Sequence, residues 1–479
     1  MMRSLYSGVS GLRVHQTKMD VIGNNIANVN TVGFKASSVT FSDVFYQTTQ
    51  SATGPNATTG AAGQNAKQIG LGSNVASITA SITQTGGSQR TDNPFDVMIS
   101  GDSFFVVNSA GTNYFTKAGA FKVDANGTLC TSTGATVMGW QVDPNDSTKT
   151  VAAAVSPLRI MSPENLFSAP AATTNAYIAG NIDSKDTQIA TTGKNVNVSF
   201  YDNLGQSYTA ELNVKQLATP TNQYSVSLKD VKGADGKSIF VKETVTAGVT
   251  TYVSSGINSF TFDGTTYNVT IPDATTGAIA LNPTTSATTL TFNSSTGKFV
   301  GIGGTTDTDK SVKFKIGGTG NAFEEIDIDF SSITMFASSG SSSLESNKGS
   351  LDGAGAGKKV GNMTGVSIDT SGKIYGKYDN GDSILLGQVA VASFSNPAGL
   401  ESVGNSMFAQ TQNSGEFDGI GHDVTSDGGN FTTGVLEMSN VDLSAQFTEM
   451  ITTQRGFQAN SRIITTSDTL LEELINLKR

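Results

Sequence analysis

The stretch LSAQFTEMITTQRGFQANSRIITTSDTLLEELI, residues 443–475, carries an apolar side chain at every seventh position. The repeating residues are Leu443, Met450, Phe457, Ile464 and Leu471, and Phe447 and Ile475 flank the same stripe. An apolar stripe with this spacing is typical of a helix that packs in a coiled coil. Asp442 precedes the stretch and is predicted to cap it. We therefore predict a long amphipathic helix that runs close to the last residue.

The opposite end of the chain has the same pattern. Its stripe consists of Leu5, Leu12, Met19 and Ile26, with Val9 and Ile22 beside it. One amphipathic helix alone would most simply pack on its own globular domain. Two such helices, at opposite ends of a chain whose middle has β-strand patterns, favour another arrangement. In this arrangement the two helices pack against each other and against copies of themselves.

Between the two helices the apolar residues alternate as they do in β-strands. They occupy even positions in residues 196–200 and again in 208–214, on either side of the turn at 202–205. Residues 260–271 repeat this arrangement around Asp263-Gly264. Each strand thereby buries one face, as in an antiparallel hairpin. No helical pattern separates the strands, so we predict a multidomain, mainly β fold, with antiparallel β-rich middle domains inserted between the terminal helices.

Two stretches of small and polar residues interrupt the strand patterns. Residues 46–68, YQTTQSATGPNATTGAAGQNAKQ, contain almost nothing to bury and are interpreted as a flexible connector. Residues 338–359, SSGSSSLESNKGSLDGAGAGKK, are rich in turn-forming residues and are predicted to mark a domain boundary.

Composition and charge exclude several classes of protein. A length of 479 residues suits two to four domains. The net charge of -10 argues against a nucleic-acid binder, which needs a basic face. Cys130 is the only cysteine, so neither an internal disulfide nor a cysteine metal cluster can form. No apolar run approaches the ~18 residues that span a bilayer, and residues 1–30 lack the apolar core of a signal peptide. We expect no nucleic-acid partner and no membrane insertion.

The sequence offers little support for enzyme or metal chemistry. No serine lies in a GxSxG elbow. His15 lies on or beside the apolar stripe of the first helix, where a packed histidine is the simplest interpretation. His422 lies in a turn-rich loop with Asp418, Asp423 and Asp427, which leaves a metal site as an alternative. No HExxH motif or second nearby histidine supports that site. We predict no catalytic, cofactor-binding or metal-binding residues.

Both ends of the chain carry motifs of a known family. Residues 5–12, LYSGVSGL, and 20–35, DVIGNNIANVNTVGFK, resemble the N-terminal signature of the flagellar rod, hook and hook-associated axial proteins. Residues 441–446, VDLSAQ, and 450–461, MITTQRGFQANS, are similar to the matching C-terminal motif, although Gly456 stands where alanine is more usual. The signature residues that we single out are Asn24, Asn25, Asn28, Thr31, Gly33 and Phe34.

The signature also has a physical interpretation of its own. Asparagine is a poor residue inside a helix, and its side chain can bind backbone groups. Asn24, Asn25 and Asn28 are therefore expected to end the first helix near Asn30. Gly33 then permits a backbone turn that is closed to other residues. The expected role of these residues is to fix the direction in which the chain leaves the helix.

Within this family, the long β-rich middle is similar to that of hook proteins, whereas rod proteins are expected to be much shorter. The resemblance implies a structural subunit without enzyme activity or cofactors. Copies of it would polymerise into the tubular, flexible universal joint that transmits torque from rod to filament. Other expected partners are the hook cap, the distal rod and the hook–filament junction proteins. The alternatives are another flagellar axial protein, distal rod or hook-associated, and a β-rich secreted adhesin.

The resemblance further implies a cellular location and a division of the chain. The subunit would be exported by the flagellar type III apparatus, without a cleaved signal peptide, to the hook and basal body outside the cell. The expected domains are a helical inner tube of residues 1–30 and 440–479, a connector of residues 31–74, an inner β-rich domain of residues 75–160 and 358–439, and one or two outer β-rich domains within residues 161–357.

Overall fold

The two ends of the chain are helical and the middle is built mainly from strands in a computed structural model. The structure describes residues 2–55, 60, 62–144, 146–246, 249–282, 288–303, 309–317 and 323–477. The helices are α1, Met2–Ala27, α2, Thr187–Thr191, and α3, Leu443–Asn476. The predicted mainly β fold between terminal helices is confirmed.

The chain divides into two compact units. The first contains Met1–Leu166, Met363–Lys377 and Ser383–Arg479, so both chain ends belong to it. The second contains Phe167–Asn362 and Tyr378–Asp382.

Local hydrogen bonds set the ends of the terminal helices. The Asp442 carboxylate accepts bonds from the backbone N–H groups of Ser444 and Ala445, at 2.8 and 3.2 Å, and so caps α3 as predicted. At the end of α1, the Asn28 side-chain amide donates to the Asn24 carbonyl oxygen at 2.9 Å. The same carbonyl also accepts the backbone N–H of Asn28 at 3.2 Å, so side chain and backbone of Asn28 bind it together. α1 consequently ends at Ala27, slightly before the predicted position.

The largest sheet of the first unit surrounds an aromatic core. Its strands follow the order Gly361–Ile368, Lys373–Tyr378, Ser383–Val389, Thr136–Trp140, Phe104–Ser109, Thr112–Thr116, Met407–Ala409 and Glu401–Gly404. Beside this path lie Phe121–Val123, Leu129–Thr131, Ser156–Pro157 and Val391–Ala392. The rings of Phe121 and Phe431 pack against Phe105 with centroid distances of 4.9 and 5.6 Å. All three side chains are buried, and they anchor this core.

Five smaller antiparallel pairs complete the first unit. They are Ser37–Asp43 with Ser73–Ala80, Tyr46–Gln50 with Lys67–Gly70, Ser88–Arg90 with Val435–Glu437, Val97–Ser100 with Asn430–Thr433, and Val142–Asp143 with Asp146–Thr150. The first two pairs lie in and around the stretch that was interpreted as a flexible connector. Backbone ladders and hydroxyl contacts, such as Thr40 Oγ1 to Ser77 Oγ at 2.6 Å, form there without apolar burial. Composition alone therefore gave no sign of these strands.

The second unit packs two sheets around one hydrophobic cluster. One sheet has the order Lys194–Tyr201, Ser207–Gln216, Gln223–Gly233, Thr288–Phe292 and Phe299–Ile302. The other has the order Ala280–Asn282, Thr265–Thr270, Ser259–Phe262, Ser311–Gly317, Ile326–Thr334, Asn175–Asn181 and Ser343–Lys348. Val241–Thr246 pairs with Val249–Ser254, and Phe167–Ser168 pairs with residues 361–362. Side chains of both large sheets contribute to the shared cluster.

The predicted hairpins are present, and one strand pair differs from expectation. Phe200 pairs with Tyr208 and Phe260 pairs with Tyr267, as the alternation predicted. Asn175–Asn181 runs parallel to Ile326–Thr334, so this sheet is not purely antiparallel. The stretch 338–359, predicted to mark a domain boundary, ends three residues before the segment Phe167–Asn362 of the second unit ends. It also contains the strand Ser343–Lys348, whose backbone completes the edge of that sheet despite a turn-forming composition.

Candidate functional site

The two terminal helices pack against each other in an antiparallel pair. At one end, the hydroxyl oxygens of Ser4 and Ser467 lie 3.5 Å apart. At the other end, the Asn25 amide donates to the Gln446 side-chain oxygen at 3.1 Å. Residue numbers therefore increase along α1 in the direction in which they decrease along α3. The two terminal helices therefore pack against each other within one molecule, as expected.

Glycines bring the two helices close together. A Cβ atom built on Gly11 would lie 2.8 Å from the Asn460 side-chain amide, and one built on Gly8 would lie 3.2 Å from Ile464 Cγ1. A Cβ built on Gly456 would lie only 2.7 Å from the His15 ring. These positions leave no room for a larger residue unless a neighbour moves. The glycine that departs from the family motif therefore has a structural reason, which is the histidine opposite it.

The predicted stripe residues lie beside this contact more than inside it. Leu5, Leu12, Met19, Ile26, Met450, Phe457, Ile464 and Leu471 are half-buried, and Leu443 is exposed. The buried residues are instead Gly8, Gly11, Val14, Ile22 and Asn25 on α1, and Thr453 and Ser467 on α3. The contacts between the helices instead fall on a neighbouring seven-residue line, which contains Ser4, Gly11 and Asn25 on α1 and Gln446, Thr453, Asn460 and Ser467 on α3.

Large apolar side chains on both helices remain open to solvent. On α1 the exposed residues are Met2, Tyr6 and Val9, and on α3 they are Leu443, Phe447, Ile451, Ile463, Leu470, Leu474 and Ile475, followed by Leu477. Large apolar side chains exposed in this number usually mark surfaces that bind another molecule. No described helix is both long enough and apolar enough to cross a membrane.

Signature residue Asn25 joins three segments where the helices meet the sheet region. Its side chain is buried, and it donates to the Ser37 carbonyl at 2.8 Å while accepting from the Ser37 N–H at 3.0 Å. The same amide nitrogen donates to Gln446 on α3. One side chain thus connects the end of α1, the first strand and the start of α3.

The other signature residues shape the turn after α1. Asn28 donates to the Asn24 side chain at 3.0 Å and accepts from the Thr31 hydroxyl at 3.1 Å. Gly33 has a φ of 67°, and a Cβ there would lie 2.7 Å from the Ala118 nitrogen. Its N–H donates to the Glu437 carbonyl at 2.9 Å. The turn therefore requires glycine for both conformation and space.

Phe34 is half-buried beside this turn, and the next residue is part of a buried charge cluster. The Lys35 ammonium lies 2.8 Å from the Glu437 carboxylate and donates to the Gln84 carbonyl at 2.7 Å. The same carboxylate oxygen accepts the Gly86 N–H at 2.9 Å. The Asn440 side chain accepts a hydrogen bond from the Ala36 N–H and donates hydrogen bonds to the Ser81 and Gln84 carbonyls. Sequence reasoning missed Glu437 and Asn440, and their closeness to the C-terminal motif was the only available signal. Gln446 lies inside that motif but was given no role of its own.

A second lysine is buried near this cluster. Lys117 donates to the Gly101 carbonyl at 2.7 Å, and its ammonium lies 4.9 Å from the centre of the Phe104 ring. Burial, assisted by the positive charge of Lys35, lowers the pKa of Lys117 to about 8, against the opposing influence of Glu437.

The two histidines have different surroundings, and Nδ1 of His15 is buried without a hydrogen-bond partner among the described residues. His15 lies edge-on to Phe41 at 5.9 Å, and burial followed by the Lys18 charge lowers the pKa of its imidazole. His422 Nε2 lies 2.6 Å from Asp427 Oδ2. Asp418 instead accepts two backbone bonds of its own loop. Among the described residues, no group of three or more histidine, cysteine or acidic side chains could hold a metal ion.

Three known sequence families match segments of this chain. Residues 5–35 match the family described as flagella basal body rod protein. Residues 98–196 match the flagellar hook protein FlgE/F/G D1 domain, and residues 432–477 match the flagellar basal body rod FlgEFG protein C-terminal family. The first and third segments contain the signature residues and the paired helices described above.

Curated relatives match over the whole chain. The flagellar hook proteins FlgE of Borreliella burgdorferi and Treponema pallidum are 38% and 34% identical, each over 100% of both chains. The Salmonella typhimurium hook protein FlgE is 30% identical over 99% of this chain and 100% of its own. A solved Helicobacter pylori hook protein FlgE2 is 14% identical and covers 73% of this chain and 100% of its own. Its TM-score of 0.33 is too low to establish a shared arrangement of domains.

A rod protein also aligns with this chain. The flagellar basal-body rod protein FlgG of Bacillus subtilis is 27% identical over 100% of both chains. The identity to the three hook proteins named above is higher, at 30–38%.

Proposed function

We propose that the helix pair α1–α3 is the surface through which this protein polymerises. The proposal starts from the family: the chain belongs to the flagellar hook proteins and is a structural subunit of the bacterial flagellar hook. Many copies of the subunit assemble to form the hook. The observation that carries the proposal is the row of exposed apolar side chains on both helices. These side chains have no partner among the described residues that covers them, and neighbouring copies would remove them from water.

The packing between the helices supports this role. Within one chain, glycines and small polar residues make the close contact, while the larger apolar residues stay at its margins. The half-buried stripe residues Leu5, Leu12, Met19, Ile26, Met450, Phe457, Ile464 and Leu471, together with exposed Leu443, are therefore available to a second molecule. We call these nine residues the seam, and we infer that a neighbouring copy covers them in the polymer.

We also propose a role for each segment in the polymer. Residues 1–30 and 440–479 line the inner tube and transmit torque, and residues 31–74 connect them to an inner β-rich domain of residues 75–160 and 358–439. Residues 161–357 form the outer part, where polar surfaces slide past neighbours while the hook bends. The signature residues around Asn25 and Gly33 hold the helix pair at a fixed angle to the inner domain.

The remaining partners follow from the same role. We propose that the subunit leaves the cell through the flagellar type III export apparatus without a cleaved signal peptide. It would then contact the hook cap during growth, the distal rod at one end and the hook–filament junction proteins at the other. We propose no catalytic activity and no cofactor.

A charge in the seam tests the proposed surface. Phe457→Asp should abolish polymer growth, because an unpaired carboxylate buried between subunits costs several kcal/mol. Ile464→Asp should act in the same way, although it also disturbs the contact with Gly8. The matched control is Leu204→Asp in the second unit, which changes an exposed leucine in a turn. Growth is measured by electron microscopy of purified protein, and near-UV circular dichroism checks that the β-rich units remain folded. Polymers of normal length from Phe457→Asp would refute the assignment.

A further inference from the structure

The two terminal helices differ in length, and the end of α3 extends past the beginning of α1. Ser4, near the start of α1, contacts Ser467. α3 continues to Asn476, so the residues after 469 have no α1 residue opposite them. This extension spans about 12 Å at ~1.5 Å per residue. We call residues 470–477 the overhang.

The overhang is apolar and exposed on one face. Leu470, Leu474 and Leu477 are 46%, 49% and 83% exposed, and Ile463 precedes them in the same stripe. Their spacing places them on one side of the helix. Glu472 and Glu473 lie among them, and neither forms an ion pair with another described residue. The overhang therefore presents an amphipathic helix end with two carboxylates that have no ion-pair partner among the described residues, and Lys478 and Arg479 follow it in the sequence.

A groove on the first unit has the complementary character. It lies between α1 and the ends of the strands Ser37–Asp43 and Ser73–Ala80, and has a volume of about 560 Å³. The residues that line it include Tyr6, Val9, Val14, Val44 and Val75, with Arg13 among them. Arg13 is exposed and forms no ion pair with another described residue. The groove thus combines these apolar side chains with an unpaired cation and with the polar residues Ser10, Thr17, Ser73 and Asn74.

We propose that the overhang of one hook subunit docks in this groove of a second copy, an inference that rests on the proposed polymerisation through the helix pair. The binding mode is a helix in a groove, with the leucines of the overhang against the valines of the groove and Arg13 facing Glu472 and Glu473. The overhang points away from the groove of its own chain, because it extends beyond the start of α1 while the groove lies along α1. The overhang and the groove are different surfaces of the subunit, so the contact between two copies is head-to-tail. Such a contact can propagate into an open helical polymer.

Site-specific crosslinking tests the contact directly in the polymer. A photoreactive amino acid replaces Leu474 in the full chain, and the polymer is irradiated and digested. Mass spectrometry should locate crosslinks at residues 6–17, 44 or 73–75 of a differently tagged copy. A second reactive position at Leu204 is the matched control and should give no crosslinks in the groove. Crosslinks from position 474 that map elsewhere would overturn the proposal.

Substitutions distinguish docking of the overhang in the groove from the more general proposal that the helix pair is the polymerisation surface. Leu474→Asp in the overhang and Val9→Asp in the groove should each slow polymer growth at least about tenfold, because each places a charge in an apolar contact. Arg13→Glu and Glu473→Arg should each slow it about two- to fivefold, and the double variant should recover. If Val9→Asp polymerises normally while Phe457→Asp does not, the helix pair remains the polymerisation surface and the groove is not the docking site. If Phe457→Asp also polymerises normally, both proposals fail.

Discussion

Lys35 and Glu437 lie 402 positions apart in the sequence, yet their charged groups are 2.8 Å apart and their side chains are 1% and 0% exposed. The pair joins the segment that leaves α1 to the strand that leads towards α3. Gly33 adds a backbone bond to Glu437 in the same place. The family signature thus marks the point where the two ends of the chain are fastened to one β-rich unit.

Removing one member of this buried pair should destabilise the first unit strongly. Glu437→Gln leaves the Lys35 charge buried without its counterion and should lower the free energy of unfolding by about 3–5 kcal/mol. Urea denaturation of the full chain measures the effect. The control is Lys313→Met in the exposed pair Lys313–Glu325, where the loss should stay below about 1 kcal/mol.

A double variant shows whether stability depends on the ion pair between Lys35 and Glu437 or on Glu437 alone. Lys35→Met combined with Glu437→Met removes both charges and should recover part of the stability that Glu437→Gln loses. Stability as low in the double variant as in Glu437→Gln would show that the other contacts of Glu437 matter more than the ion pair.

The glycines of the helix contact should tolerate substitution very differently. Gly11→Val should separate α1 from α3, because a side chain there meets Asn460 at 2.8 Å or less. Gly23→Ala on the same helix is the control, since a Cβ there meets nothing within 4 Å. That change should stabilise α1 by about 0.5–1 kcal/mol. A cysteine pair replacing Ser4 and Ser467 reports the contact by its rate of disulfide formation. An unchanged rate in Gly11→Val would contradict the predicted close approach.

Lys117 should make the first unit more stable at alkaline pH. Its pKa is lowered to about 8 in the folded chain, whereas an unfolded lysine keeps its proton to about pH 10.5. Between these values the unfolded state binds more protons, so stability should rise with pH, by up to about 3 kcal/mol. Thermal unfolding from pH 7 to 10.5 measures the rise. Lys117→Met should remove most of it, and an identical pH profile in this variant would assign the effect to other groups.

The terminal helices should be partly disordered in the dilute monomer. Their apolar residues are largely half-buried or exposed, so little packing stabilises either helix before assembly. Hydrogen exchange of α1 and α3 should be fast in the monomer and slow in the polymer, while the strand Phe104–Ser109, which is largely buried, stays protected in both. Full protection of both helices in the monomer would contradict this prediction.

Some parts of the site could not be predicted from the sequence. The partners of Asn25 and Lys35 are Gln446 and Glu437, which lie about four hundred residues away, and no local pattern connects them. The hairpin pairs Phe200–Tyr208 and Phe260–Tyr267 were predictable because a short turn fixes each register. The strand Ser343–Lys348 was not, because its partner was unknown and its composition favours turns.

The sequence by itself determined the two terminal helices, the β-rich middle and the family, because periodicity, turn residues and motifs are local properties of the chain. Only the tertiary structure decided which face of each helix is used inside one molecule. Gly8, Gly11 and Gly456 let the backbones approach closely, and this approach turns the apolar stripes towards the margins. That choice depends on the geometry of two helices together, which neither heptad pattern contains.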